Sequence, residues 1–259
     1  MHRLLANVAV VTATLVTFFA PASYADVRIA AQQSADHLRD GQLTRLSSED
    51  QVVVWLADDS ARMDRGEKST ILVPGRMYFL DHAKKTLEIV TLPATLLDLL
   101  EEPERQVASR MHQKQKGLAD QEEEPTNTEV RGWQSQKFLY SVQSTVSSRQ
   151  VSFWTTDDVA TSDRPYRDMM SAWNDLRMGD QWMNEIFDTL PGFLVKTEIR
   201  QPDARGTLIT TLEFLEIEKI SPDPSRFRPP EGYTPIPLDI SRWFKIAEPR
   251  SPGQAGRNR

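Results

Sequence analysis

The sequence predicts an α+β fold, a curved antiparallel β-sheet with apolar helices against it, on three observations. β-branched and aromatic residues cluster between turn signals over 51–92, 137–156 and 193–220. Two other stretches, 93–121 and 163–187, carry their apolar residues at helical spacing. The chain of 259 residues contains no cysteine, so it must fold by burying a core rather than by disulfide staples.

Residues 1–25 read as a removable secretory signal peptide. His2 and Arg3 give a basic start, residues 4–19 are apolar or small and uncharged, and small Ser23 and Ala25 stand before Asp26 where a signal peptidase reads. An uncleaved anchor fits less well, because Pro21 interrupts a run already short of about 20 apolar residues. The expected location is the periplasm of a Gram-negative cell. With no cysteine to take a lipid, and no transmembrane segment after cleavage, the mature chain is expected to be soluble. Residues 26–247 are read as one domain, and 248–259, rich in Pro, Gly and polar residues, as a disordered tail.

Strands are expected over 52–56, 69–73, 77–80 and 86–92, forming an antiparallel meander whose Pro74-Gly75 pair suits a type II turn. The leucines Leu96, Leu97, Leu99 and Leu100, with Val107 and Met111, predict a peripheral helical insert over 93–121, a flap cleavable at Lys114 or Lys116. The acidic run over 121–128 reads as a solvated loop. Strands resume over 137–146 and 150–156. Asp163 and Pro165 then open a helix carrying Tyr166, Met169, Met170, Trp173 and Leu176. Gly179 breaks it, and a second helix carries Trp182, Met183, Ile186 and Phe187; strands over 193–200 and 207–220 close the domain.

Residues that carry chemistry are sparse. There are 31 Lys+Arg against 37 Asp+Glu, a net charge of −6 with no basic run, which argues against nucleic acid. His37, His82 and His112 lie far apart without zinc spacing and read as solvated; no serine sits in a Gly-x-Ser-x-Gly elbow, and no cofactor or metal is expected. One motif recurs: Val52-x-x-Trp55-x-x-Asp58-Asp59 and Val151-x-x-Trp154-x-x-Asp157-Asp158. Paired acids can cleave glycosides or hold calcium, but at strand ends they more commonly close turns.

The Met and aromatic stripe from Tyr166 to Phe187 is either filled core or the wall of an apolar cavity, since methionine is common on surfaces that accept varied apolar partners. Candidate ligand-binding residues are Met169, Met170, Trp173, Trp182, Met183 and Phe187 on the helices, with Trp55, Tyr78, Tyr140 and Trp154 on the strands beneath. A one-residue error of parity would turn any strand residue to the other face. Gly179 between the helices would let the second swing from the sheet.

Five segments carry a family resemblance: Val54-Trp-Leu-Ala-Asp-Asp-Ser-Ala-Arg-Met-Asp64, Met77-Tyr-Phe-Leu-Asp-His-Ala-Lys-Lys-Thr86, Val151-Ser-Phe-Trp-Thr-Thr-Asp-Asp158, Leu190-Pro-Gly-Phe-Leu-Val-Lys-Thr-Glu198 and Phe227-Arg-Pro-Pro-Glu-Gly-Tyr233. In this order over about 51–237, behind a signal peptide, the chain resembles uncharacterised periplasmic proteins related to the LolA and LolB lipoprotein-sorting fold. That resemblance implies a strongly curved, incomplete barrel with helices covering its concave face, a space relatives use for acyl chains. The expected function is a non-enzymatic periplasmic binding or carrier protein for an apolar ligand, a lipid or lipoprotein acyl chain. The alternative is a structural or regulatory protein-interaction module with a filled core, whose partner is an envelope protein. An enzyme ranks third, because no base, nucleophile or metal set has recognisable spacing.

Overall fold

The computed structural model describes residues 26–47, 50–115, 117–145, 147–177 and 181–240. Residues 1–25, read above as a signal peptide, with Lys116, Gly179 and the expected tail from 248, lie outside the described residues.

The elements run in chain order: β1 (Asp26–Arg39), β2 (Gln42–Arg45), β3 (Asp50–Leu56), β4 (Ala61–Arg65), β5 (Lys68–Val73), β6 (Arg76–Asp81) and β7 (Thr86–Thr91). Helices α1 (Leu96–Leu99) and α2 (Glu104–Gln115) precede β8 (Leu118–Gln121), β9 (Thr126–Val130), β10 (Trp133–Gln143) and β11 (Ser148–Thr156). Helices α3 (Arg164–Asp175) and α4 (Trp182–Thr189) then lead to β12 (Phe193–Asp203), β13 (Gly206–Ile220), a 3-10 turn over Pro224–Phe227 and β14 (Thr234–Pro235).

All fourteen strands join one sheet in the order β14-β7-β6-β5-β4-β3-β1-β13-β12-β11-β10-β8, with β2 paired to β1 and β9 to β10. The path does not close. Every pairing is antiparallel except β14 on β7. The meander of 51–92 matches the sequence pattern, with Gly75 at φ +74° in the two-residue turn between β5 and β6.

Three differences from the sequence reading have physical causes. β1, the strand between β3 and β13, is absent from that reading: its inward positions Val27, Ile29 and Ala31 alternate with Arg, Ala and Gln, and a bulge at Ala30/Ala31 shifts its register. β4 is absent from it because Ala61 and Met63 are its sole apolar residues. The helical stretch of 93–121 ends at Gln115 and finishes as edge strand β8, while the acidic loop of 121–128 shortens to 122–125 before β9. α2 itself is exposed along most of its length, with Ala108 buried against Leu96 and Leu100 of the preceding turn.

Side-chain alternation assigns the faces. Val54, Leu56, Ala61, Leu72, Met77, Phe79, Val151, Phe153 and Phe214 point to the side on which α3 and α4 lie and form the main core with them. On the opposite face Ile71, Leu80 and Leu87 pack under Phe227 and Tyr233, so the segment after β13 covers β5 to β7 from behind.

Candidate functional site

The α3–α4 hairpin is held at both ends by polar contacts that its sequence supplies. Asp163, just before α3, pairs with Arg167 one turn on at 2.8 Å, and its Oδ2 also accepts from the Leu194 backbone N–H at 2.8 Å. The Arg167 guanidinium donates further to the carbonyls of Phe187 (3.1 Å), Leu190 (2.6 Å) and Gly192 (2.6 Å), tying the start of α3 to the end of α4 and the start of β12. At the other end Asn174 Nδ2 donates to Asn184 Oδ1 at 3.0 Å, and Asn184 Nδ2 donates to Asp175 Oδ1 at 2.9 Å. Partial burial raises the Asp175 pKa above the usual carboxylate value, opposed by the Asn184 hydrogen bond. Burial, and then the negative charge of Asp163, push the Tyr166 hydroxyl well above the ordinary phenol range, so it stays protonated against Phe214.

Seven of the ten predicted ligand-binding residues meet on the helix side of the sheet. Met169 is fully buried, Trp182, Met183 and Phe187 nearly so, and Tyr140 joins them through Phe153, whose ring lies 6.0 Å from that of Tyr140 and 5.7 Å from that of Phe187. Met170 and Trp173 are only half-buried, and Trp173 stands edge-on to Phe79 at 5.6 Å. α3 lies over β3, β4 and β5, and Met63 of β4 is part-exposed against the same core.

Of the other three, Trp55 and Tyr78 belong to the opposite face, and Trp154, a buried member of the main core cluster, takes the parity opposite to Val151 and Phe153. Val54 and Leu56 take the inward parity on β3, Met77 and Phe79 on β6, and Val151 and Phe153 on β11, so the residues between them and next to them turn away. Trp55 donates its indole N–H to Asp64 Oδ2 and lies under Arg28 and Arg226, while Trp154 lies between Lys137 and Lys196 at 5.3 and 5.0 Å. Tyr78 packs beside Ile71, Leu80 and Phe227. The residues that sequence reasoning misses are Phe79, Phe153 and Met63; the shared parity of Met77 with Phe79 is the available signal.

Two histidines read as solvated have partners. His37 Nε2 lies 3.2 Å from Asp203 Oδ1. That carboxyl is held below its usual pKa, first by the Arg205 backbone N–H and then by His37. His82 bridges Ser69 Oγ at 2.6 Å and the Tyr233 hydroxyl. Ser69 has one proton, which it donates to Asp64, a carboxylate that also accepts from Arg62 Nε at 2.7 Å. His82 therefore donates from Nε2 to Ser69, and its Nδ1 pairs with the Tyr233 hydroxyl. Such a polarity does not activate Ser69, whose oxygen is buried and whose histidine faces it with a proton rather than a lone pair. The network fastens Tyr233 to β5 and β6. Among the described residues no group of three His, Cys, Asp or Glu is placed to hold a metal.

The two paired-acid motifs end differently. Asp158 Oδ2 accepts from the Gln134 backbone N–H at 2.7 Å, tying the end of β11 to the start of β10, and both Asp157 and Asp158 line a small cavity there. In the first, Asp59 accepts from the neighbouring Ser60 hydroxyl at 2.9 Å, and exposed Asp58 and Asp59 stand at the rim of a cavity of ≈ 560 Å³ lined also by Tyr78, Phe227 and Pro229. Neither this cavity nor two others, at the β1–β2 turn with the β12–β13 turn and beside Thr156, is lined by α3 or α4.

These features define a mostly β protein with one large unclosed sheet, a few helices on one face, and no described helix long and apolar enough to cross a membrane. No family model and no curated protein matches the chain. Among solved structures it is similar to an uncharacterized conserved protein from Thermus thermophilus (8% identity, 84% of this chain and 92% of that one, TM-score 0.44). It is also similar to PNGF-II (11% identity, 83% of this chain and 32% of that one, TM-score 0.40) and to MucB (12% identity, 79% and 58%, TM-score 0.31).

Proposed function

We propose that the chain is an exported, non-enzymatic binding protein whose unclosed sheet is a half-barrel of the LolA and LolB kind, and that it takes an apolar ligand, a lipid or acyl chain, on the helix-covered concave face. The observation that supports this is the part-exposed apolar margin of Met63, Met170 and Trp173 beside Phe79, at the side of an otherwise packed interface. Adaptable methionines and an edge-on tryptophan are contacts that a ligand can replace with its own. The site is then narrower than the sequence stripe: Met169, Met183 and Phe187 are its backing, not its lining.

A second reading, a protein-interaction module with a filled core, is favoured by that deep burial and by the Arg167 and Asn184 contacts that bind α3 to α4. Addition of a long-chain fatty acid or an acylated peptide separates the two. The carrier reading expects a saturable change in tryptophan emission and a raised melting temperature. Trp173→Glu is expected to weaken the binding. If several such ligands change neither signal while Trp173→Glu still unfolds the protein, the filled-core reading stands instead.

A further inference from the structure

We propose that the groove on the face opposite the helices, between the β3–β4 turn and the segment after β13, docks an extended basic segment of a partner protein, with a Lys or Arg stem over Tyr78 and Phe227 and its head at Asp58 and Asp59. The groove is separate from the apolar ligand site, since it lies on the other side of the sheet.

Its shape comes from the sequence on both sides. Ala57, Val73, Tyr78 and Phe227 give an apolar floor within the ≈ 560 Å³ cavity, and three prolines of the segment after β13 wall it. Prolines lack an N–H, so these walls offer no donors to a visiting backbone, and recognition falls to side chains. A long cationic side chain fits such a place, burying its methylenes while its head reaches water or a carboxylate at the rim.

Charge selects the occupant. Asp26, at the back of the groove, is already held by Arg226 at 3.5 Å and by the Asp223 backbone N–H at 2.9 Å. Asp58 and Asp59 are not used in this way, whereas the matching Asp158 of the second motif is spent on the Gln134 N–H. Both acid pairs line a cavity, but Asp158 is tied to the start of β10, while Asp58 and Asp59 are exposed over a more apolar floor. Arg228, which also lines the cavity, disfavours a second cation beside it. The face already stacks cations on aromatic rings, with Arg226 5.0 Å from the Trp55 centroid and Lys196 5.0 Å from that of Trp154.

The experiment uses the mature protein and a fluorescein-labelled peptide of three Lys-Leu repeats, with three Glu-Leu repeats as the counterpart, read by anisotropy. Saturable binding of the Lys peptide alone is expected, lost at high salt. Asp58→Asn with Asp59→Asn should weaken it at least tenfold at unchanged melting temperature, and Glu123→Gln with Glu124→Gln, an equal loss of charge elsewhere, should not. Equal weakening by both pairs would reduce the effect to general attraction by an acidic protein and overturn the site. So would photo-crosslinks from a benzophenone-bearing Lys peptide that fall outside 57–60, 73–78 and 222–229, or the absence of binding. None of these readouts involves a lipid, so failure here leaves the apolar-ligand reading to its own test.

Discussion

The Arg167 guanidinium meets the Asp163 carboxylate at 2.8 Å with the two side chains 6% and 7% exposed, and the same guanidinium serves three carbonyls at the junction of α4 and β12. A buried charge left alone is far costlier than the pair is worth. Arg167→Met is therefore expected to lower stability by about 3–5 kcal/mol, because it strands Asp163. Combining it with Asp163→Asn should cost less than the sum of the single changes. Urea unfolding of the four proteins measures this, and additive losses would mean the pair is not coupled.

Asp175 gives a pH dependence of defined sign. Its pKa is raised in the folded protein, so it disfavours folding above that pKa and the penalty is relieved as pH falls through it. Asp175→Asn, which keeps an acceptor for Asn184, should be more stable than the parent at pH 7, with the advantage vanishing below about pH 4. Asp203 has the opposite sign: its lowered pKa contributes stability above the unfolded value that is lost in acid. Thermal unfolding across pH distinguishes the two.

Gly117 joins the edge strand β8 to the helix side of the sheet by having no side chain. An added Cβ would lie 2.7 Å from Val142 Cγ1 and 3.2 Å from Trp182 Cδ1. Gly117→Ala should cost about 1–3 kcal/mol through overpacking. A pairing of Gly117→Ala with Val142→Ala should recover part of that loss in the same melt.

The hydroxyl of Tyr233 is what His82 holds, so Tyr233→Phe should loosen the segment over β5 to β7 while leaving α3 and α4 in place. A loss of about 1 kcal/mol is expected. Trypsin should then cut faster after Arg226 than in the parent, and unchanged cutting would show that Phe227 alone anchors the segment.

What the sequence discloses follows from which signals are local. The meander, the α3–α4 hairpin with its Asp163 and Pro165 start, and the long β12–β13 pair rest on periodicity and turn residues, and each is legible. β1 is not, because its face is set by neighbours on both sides rather than by its own alternation, and alanines at Ala30 and Ala31 hide the bulge. The helix residues Met169, Met183 and Phe187 each lie on the sheet-facing side of a helix, a placement that helical spacing makes legible. Those on strands split, as Tyr140 faces the helices, Trp55 and Tyr78 do not, and Trp154 is buried in the main core at the parity opposite to Phe153; bulky residues on both faces of β3, β6 and β11 erase the parity signal. The contacts of His82 join parts of the chain 13 and 151 positions apart and have no sequence signature.

The pairing of β1 with β13 carries a kinetic consequence. The Arg28–Glu218 contact spans 190 positions, and thirteen residue pairs of β1 depend on a strand far along the chain. Closing so large a loop is entropically slow, and until it closes the facing edges of β1 and β13 stand open, although each pairs on its other side with a strand near it in sequence, β3 and β12. Assembly of this sheet is thus limited by the return of a late segment to an early one. The two halves of the sheet are each built from pairings local in sequence, and the β1–β13 seam is the step that joins them.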